Sequence, residues 1–154
     1  MADIGLFLKD NTIDIEIEKE DIQREEGLRT SVLISLFTDR RVEEEELPLG
    51  HTHKRGWWGD MFSEIDKDEI GSKLWLLERG KQTLETESDA EEYVKESLQW
   101  MIEDGVASNI SVEAEFIDRG VLAIRMEIEK PQGESQRFSL LWDLEENRIG
   151  EEIN

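Results

Sequence analysis

Hydrophobic and polar residues change rhythm several times along this chain. Ile13, Ile15 and Ile17 alternate with Asp14, Glu16 and Glu18, the two-residue period of a half-buried strand. Leu6 and Leu8 form a shorter alternating piece before it. Lys9-Asp10-Asn11 between the two has turn chemistry, so a short amino-terminal β-hairpin is predicted. Glu18 to Gly27 is charged and reads as a solvated linker, with a short helical turn as the alternative. The period then becomes helical. Leu28, Val32, Ser35 and Leu36 share one face, Leu33 and Phe37 lie beside them, and Ile34 widens the stripe, so this helix should be covered on more than one side.

From Arg40 to Asp60 the periodicity vanishes. About twenty residues without regular structure are uncommon inside a compact domain, and such loops more often serve function or are ordered by contact. Leu74-Trp75-Leu76-Leu77 then gives a short apolar run within residues 71–79, read as a second helix although a buried strand has the same signature. A third helix is expected from a capping box at Ser88-Asp89-Ala90-Glu91, with Ala90, Tyr93, Val94, Ser97, Leu98, Met101 and Ile102 at helical spacing and Gly105 as its left-handed cap.

After Gly105 the two-residue period returns. Ile110, Val112, Ala114 and Phe116 alternate with polar residues, and so do Leu122, Ile124, Met126 and Ile128, and then Phe138, Leu140, Trp142 and Leu144. Asp118-Arg119-Gly120 and Pro131-Gln132-Gly133 supply the turns. The predicted class is α+β: an antiparallel carboxy-terminal β-meander packed against about three α-helices, with the short amino-terminal β-hairpin. One domain over residues 1–154 is expected, divided into strands and linker (1–27), a helical part with the long loop 40–60 (28–105), the meander (106–144) and a tail (145–154).

Charge narrows the function. Acidic residues outnumber basic ones 39 to 18, for a formal charge of -21, and such a surface repels phosphates. Nucleic acid and anionic membranes are therefore not expected partners, and no apolar run reaches the roughly 20 residues of a membrane helix. The amino terminus has no basic start or apolar core of a signal peptide. Cysteine is absent, which removes disulfides, thiolate metal sites and cysteine nucleophiles.

The candidate chemistry is thin. His51-Thr52-His53 has only carboxylates to complete a metal set, so two exposed loop histidines is the better reading. Carboxylate pairs such as Asp60 and Glu64 suggest a glycosidase, but with 39 acidic residues a pair somewhere is unavoidable. No phosphate loop, Ser-His-Asp order or dinucleotide fingerprint occurs, so no catalytic residue, metal or cofactor is expected. A calcium module lacks the spaced Asp/Asn loop it needs.

The remaining signals point to contact. Arg40 and Arg41 follow the first helix, where they either complement its negative end or bury one guanidinium against a carboxylate. Trp57 and Trp58 are adjacent, and one core cannot easily take both, so at least one is a candidate interface anchor. Trp75, Trp100 and Trp142 lie on predicted elements and read as packing.

Ser31 to Arg41, Leu47-Pro48, Arg55-Gly56-Trp57-Trp58-Gly59-Asp60, Gly71 to Leu77, Lys81-Gln82-Thr83, Glu85-Thr86, Ala90, Tyr93 and Asp104 to Ala107 closely resemble the baseplate protein of Mu-like phages and prophages. That family resembles the lysozyme-like baseplate wedge proteins of contractile tails. The shared outline falls here on Thr38, Asp39, Arg40 or Arg41, and Pro48-Leu49-Gly50. The resemblance implies a non-enzymatic wedge subunit that joins the baseplate to the sheath by protein contacts and β-strand addition. It implies other wedge proteins and the tail sheath protein as partners in a hetero-oligomer, assembled in the bacterial cytoplasm and resident in the virion. Asp39, Arg40, Arg41, Arg55, Trp57 and Trp58 are the expected partner-binding residues. A peptidoglycan-degrading, lysozyme-like tail enzyme is the alternative.

Overall fold

The computed structural model describes residues 3–4, 6–9, 12–15, 17–18, 21–22, 24–25, 28–50, 52–56, 69–77, 81–144 and 148–151. Six short strands come first: β1 (Asp3–Ile4), β2 (Leu6–Lys9), β3 (Thr12–Ile15), β4 (Ile17–Glu18), β5 (Asp21–Ile22) and β6 (Arg24–Glu25). They pair antiparallel as β1 with β6, β2 with β3 and β4 with β5, with Leu8 opposite Ile13. The segment expected to be a solvated linker thus carries two strands, because Asp21–Ile22 and Arg24–Glu25 find backbone partners that their charged sequence does not advertise.

Helix α1 (Arg29–Phe37) buries Thr30, Val32, Leu33, Ser35 and Leu36. These positions run most of the way round the helix, so it is covered on more than one side, as expected, although Ile34 itself is 40% exposed. The second expected helix is a single 3-10 turn at Leu74–Leu77. Leu74, Trp75 and Leu77 are all buried, and an apolar run of four residues satisfies a core without the length that α-helix propagation rewards.

Helix α2 (Leu84–Glu103) begins earlier than its predicted cap. Thr83 is the N-cap, and its Oγ1 accepts the Thr86 amide at 3.2 Å. Ser88 and Glu91 therefore sit inside the helix. Its far end is as expected: Gly105 adopts φ +73°, and the Val106 amide donates to the Met101 carbonyl at 2.8 Å. Ala90, Val94, Leu98 and Met101 form the buried stripe, whereas Ile102 and Trp100 are partly exposed. Trp100 is thus not core; its indole donates to Ser35 Oγ of α1 at 3.0 Å.

The meander consists of β7 (Asn109–Asp118), β8 (Val121–Glu129) and β9 (Ser135–Asp143), and β10 (Arg148–Glu151) joins β9 from what was expected to be a tail. The sheet is antiparallel throughout in the order β10-β9-β8-β7. Val112 opposes Met126, Ala114 opposes Ile124, and Ile124 opposes Leu140, so one face is continuously apolar. That face packs with Val32, Leu36, Leu74, Leu77 and the α2 stripe into one core. The opposite face carries cross-strand ion pairs, among them Arg125 with Glu115 at 2.8 Å. No helix among the described residues is long and apolar enough to cross a membrane.

Candidate functional site

The turn that leaves α1 is stitched to two distant segments. Ser72 donates its amide to the Thr38 carbonyl and receives the Arg40 amide on its own carbonyl, each at 2.9 Å. This makes a parallel bridge between Asp39 and Ser72. The Ser72 hydroxyl donates to the Leu36 carbonyl at 2.7 Å and so occupies an acceptor left open at the helix end. Gly71 makes the approach possible. Its φ is +108°, and a Cβ there would lie 2.3 Å from the Thr38 carbonyl oxygen. On the other side, Val42 is buried and donates its amide to the Lys54 carbonyl at 3.0 Å.

This stitching gathers four of the expected contact residues. Arg40 is the more enclosed arginine, with a side chain only 18% exposed. Its guanidinium lies 3.3 Å from Glu96 of α2 and donates to the Glu69 carbonyl at 2.8 Å. Of the two readings of the arginine pair, Arg40 therefore follows the one that places a guanidinium against a carboxylate. Arg41 is exposed and reaches the Arg55 carbonyl at 3.5 Å. Arg55 pairs with Asp39 at 2.8 Å and stands over the Trp75 ring, 4.6 Å from its centroid. Arg55 holds φ +52°, an uncommon conformation for a residue with a side chain, between the ion pair and the stacked indole.

Trp75, Lys73, Glu46 and Glu96 belong to the same site and were not singled out for it. Trp75 is buried as expected of a packing residue, but its indole N–H also donates to the Arg40 carbonyl at 2.9 Å. Lys73 bonds Glu46 at 2.6 Å and lies 3.5 Å from Glu96, so Glu96 is shared between Lys73 and Arg40. The other Glu46 oxygen accepts the Glu43 amide at 3.0 Å and closes the 3-10 turn Glu44–Glu46. The Lys73 hydrogen bond, followed by the Glu43 amide, holds the Glu46 carboxyl below the usual glutamate range. Burial, the largest single influence on Lys73, pulls its ammonium down, but Glu46 and Glu96 together outweigh it and the net shift is upward. The only sequence signal for these residues was the apolar run around Trp75.

The site has a projecting rim. Leu49 is fully exposed at the tip of Pro48-Leu49-Gly50, where Gly50 has φ +89°. Trp57 and Trp58 follow Gly56 directly in sequence and lie outside the described residues, as do His51, Asp60 and Glu64. His53 is exposed, and among the described residues no group of three or more His, Asp or Glu is placed to hold a metal ion. The arrangement is a set of hydrogen bonds and ion pairs closing on one another, suited to fixing a loop.

Comparison with known proteins resolves the family. The profile for phage protein GP46 matches residues 28–135, from the start of α1 into β9. The chain belongs to the phage GP46 family. Among its relatives is the Mu-like prophage FluMu protein gp46 of Haemophilus influenzae, 36% identical over 146 residues, which cover 94% of this chain and 100% of that protein. Another is the baseplate protein gp46 of Escherichia phage Mu, 38% identical over 134 residues, covering 86% of this chain and 90% of the relative. The matched region holds every residue of the stitched turn, from Thr38 through Arg55 to Trp75 and Glu96.

Proposed function

We propose that this chain is a structural, non-enzymatic baseplate subunit of a Mu-like contractile tail or tail-like particle. The observation that carries the reading is its near full-length similarity to the phage Mu protein named a baseplate protein. Within that role the chain is a wedge-type connector that meets other baseplate proteins and the tail sheath protein in a hetero-oligomer. It assembles in the bacterial cytoplasm and remains in the virion.

The loop 40–60 is the docking element. Its base is fixed by the Asp39–Arg55 pair, the Arg40–Glu96 pair and the Trp75 stack, so its outer part is presented from a rigid foundation. Arg41, Trp57 and Trp58 make the partner contacts, with arginine and tryptophan as the residue types best suited to interface burial. Asp39, Arg40 and Arg55 hold the loop in place for them. Strand addition to the sheet supplies the link to the sheath, since an edge strand offers unpaired amides and carbonyls to an incoming backbone.

Affinity purification of the tagged chain from cells expressing the whole tail cluster tests this role. Co-purification of neighbouring baseplate and sheath proteins is expected; recovery of the chain alone from cells full of assembled tails contradicts it. A clearing assay on peptidoglycan with purified protein is expected to show no turnover, and turnover abolished by changing one carboxylate would instead establish the lysozyme reading.

A further inference from the structure

The sheet ends at β7 on one side and, among the described residues, at β10 on the other. These two edges are not equivalent. The Ala114 amide donates to Glu91 Oε1 at 3.1 Å, and the Phe116 amide donates to Glu87 Oε1 at 2.9 Å. Along an antiparallel strand, amides two residues apart point the same way, and those between them point to the neighbouring strand. By this alternation β7 turns the amides of Ile110, Val112, Ala114 and Phe116 outward, and those of Ala114 and Phe116 are taken by carboxylates on successive turns of one helix.

We propose that Glu87 and Glu91 close the β7 edge against strand addition, which leaves the β10 edge as the one that receives an extended segment of a partner protein. The second half rests on the strand-addition reading above; the first does not. Register fixes the receiving groups. Ala114 opposes Ile124, Ile124 opposes Leu140, and Leu141 opposes Gly150. Carried across the sheet, the alternation turns the amides of Arg148 and Gly150 to β9 and those of Ile149 and Glu151 outward. An incoming segment rich in lysine and arginine fits a chain of formal charge -21.

The closing role predicts a gain of association on purified protein. In Glu87→Ala/Glu91→Ala the two amides lose their acceptors. Sedimentation velocity should then show concentration-dependent self-association, and a labelled peptide copying residues 109–118 should bind at least about tenfold more tightly than to the native chain. Glu87→Gln/Glu91→Gln keeps a carbonyl acceptor at each position and should behave as the native protein does. Each single alanine variant opens one amide and should show a smaller rise, which preserves the test if the double variant does not fold. Cooperatively melting alanine variants that associate no more than the native chain overturn the closing role, as does equal association of the glutamine pair.

The β10 edge is tested separately, in particles. Ile149→Pro removes an outward donor while leaving the bonds to β9. Loss of sheath attachment supports β10 as the receiving edge, whereas particles that assemble normally overturn that assignment and leave the result at β7 standing.

Discussion

Single residues decide how the loop after α1 is held. Gly71 has no tolerance for a side chain: its φ of +108° is combined with a Thr38 carbonyl that a Cβ would meet at 2.3 Å. Gly71→Ala is expected to cost roughly 2–4 kcal/mol, read as a lower denaturant midpoint, because backbone must move to admit the methyl group. A stability loss under about 0.5 kcal/mol would mean that the bridge to Ser72 is slack. The Glu46–Lys73 pair gives a pH signature. Glu46 has a lowered folded pKa, so its contribution is present above the ordinary glutamate value of about 4.3 and is lost as pH falls through the folded value. Lys73 is shifted upward, so its contribution is present at and below the ordinary lysine value and is lost only as pH rises past its raised one. Chemical denaturation of Glu46→Gln as a function of pH should therefore show a shallower loss of stability on the acid side than the native chain. An unchanged acid slope contradicts this coupling. None of this network was legible in the sequence. Gly71 and Ser72 act on Thr38 and Arg40 more than thirty positions away, and no local pattern marks such a pair. The arginines and Asp39 stood out only because they follow a helix whose period was clear.

Elements show the opposite balance. The three strands of the meander were legible almost to their ends, since alternation is a local property and one face of this sheet is buried. The beginning of α2 was not. Ser88 and Glu91 imitate a capping box, but Glu91 is committed to the Ala114 amide and Thr83 holds the true cap. Thr83→Ala should destabilise the protein by about 0.5–2 kcal/mol, whereas Ser88→Ala, exposed within the helix, should change stability by less than about 0.5 kcal/mol. Thermal melts of the two variants check this directly, and the reverse ranking would restore the later helix start. The 3-10 turn at Leu74–Leu77 is illegible in the sequence for a related reason, as four apolar residues carry no period of their own.

At the scale of the whole molecule, a strongly acidic chain combines one continuous core with a loop whose base is immobilised and a sheet with one edge taken by side chains. The chain belongs to the phage GP46 family, and these properties are the ones the proposed connector role calls for. Among the described residues of the loop, Val42 alone is buried. On the proposed docking role, Trp57 and Trp58 serve contacts with other chains, so substituting them should leave folding intact and act on assembly alone. The most direct measurement is electron microscopy of particles produced with the Trp57→Ala/Trp58→Ala chain, alongside a thermal melt of the purified variant. A native-like melt with no assembled tails is the predicted result; intact, contractile particles carrying the double variant would contradict the connector account.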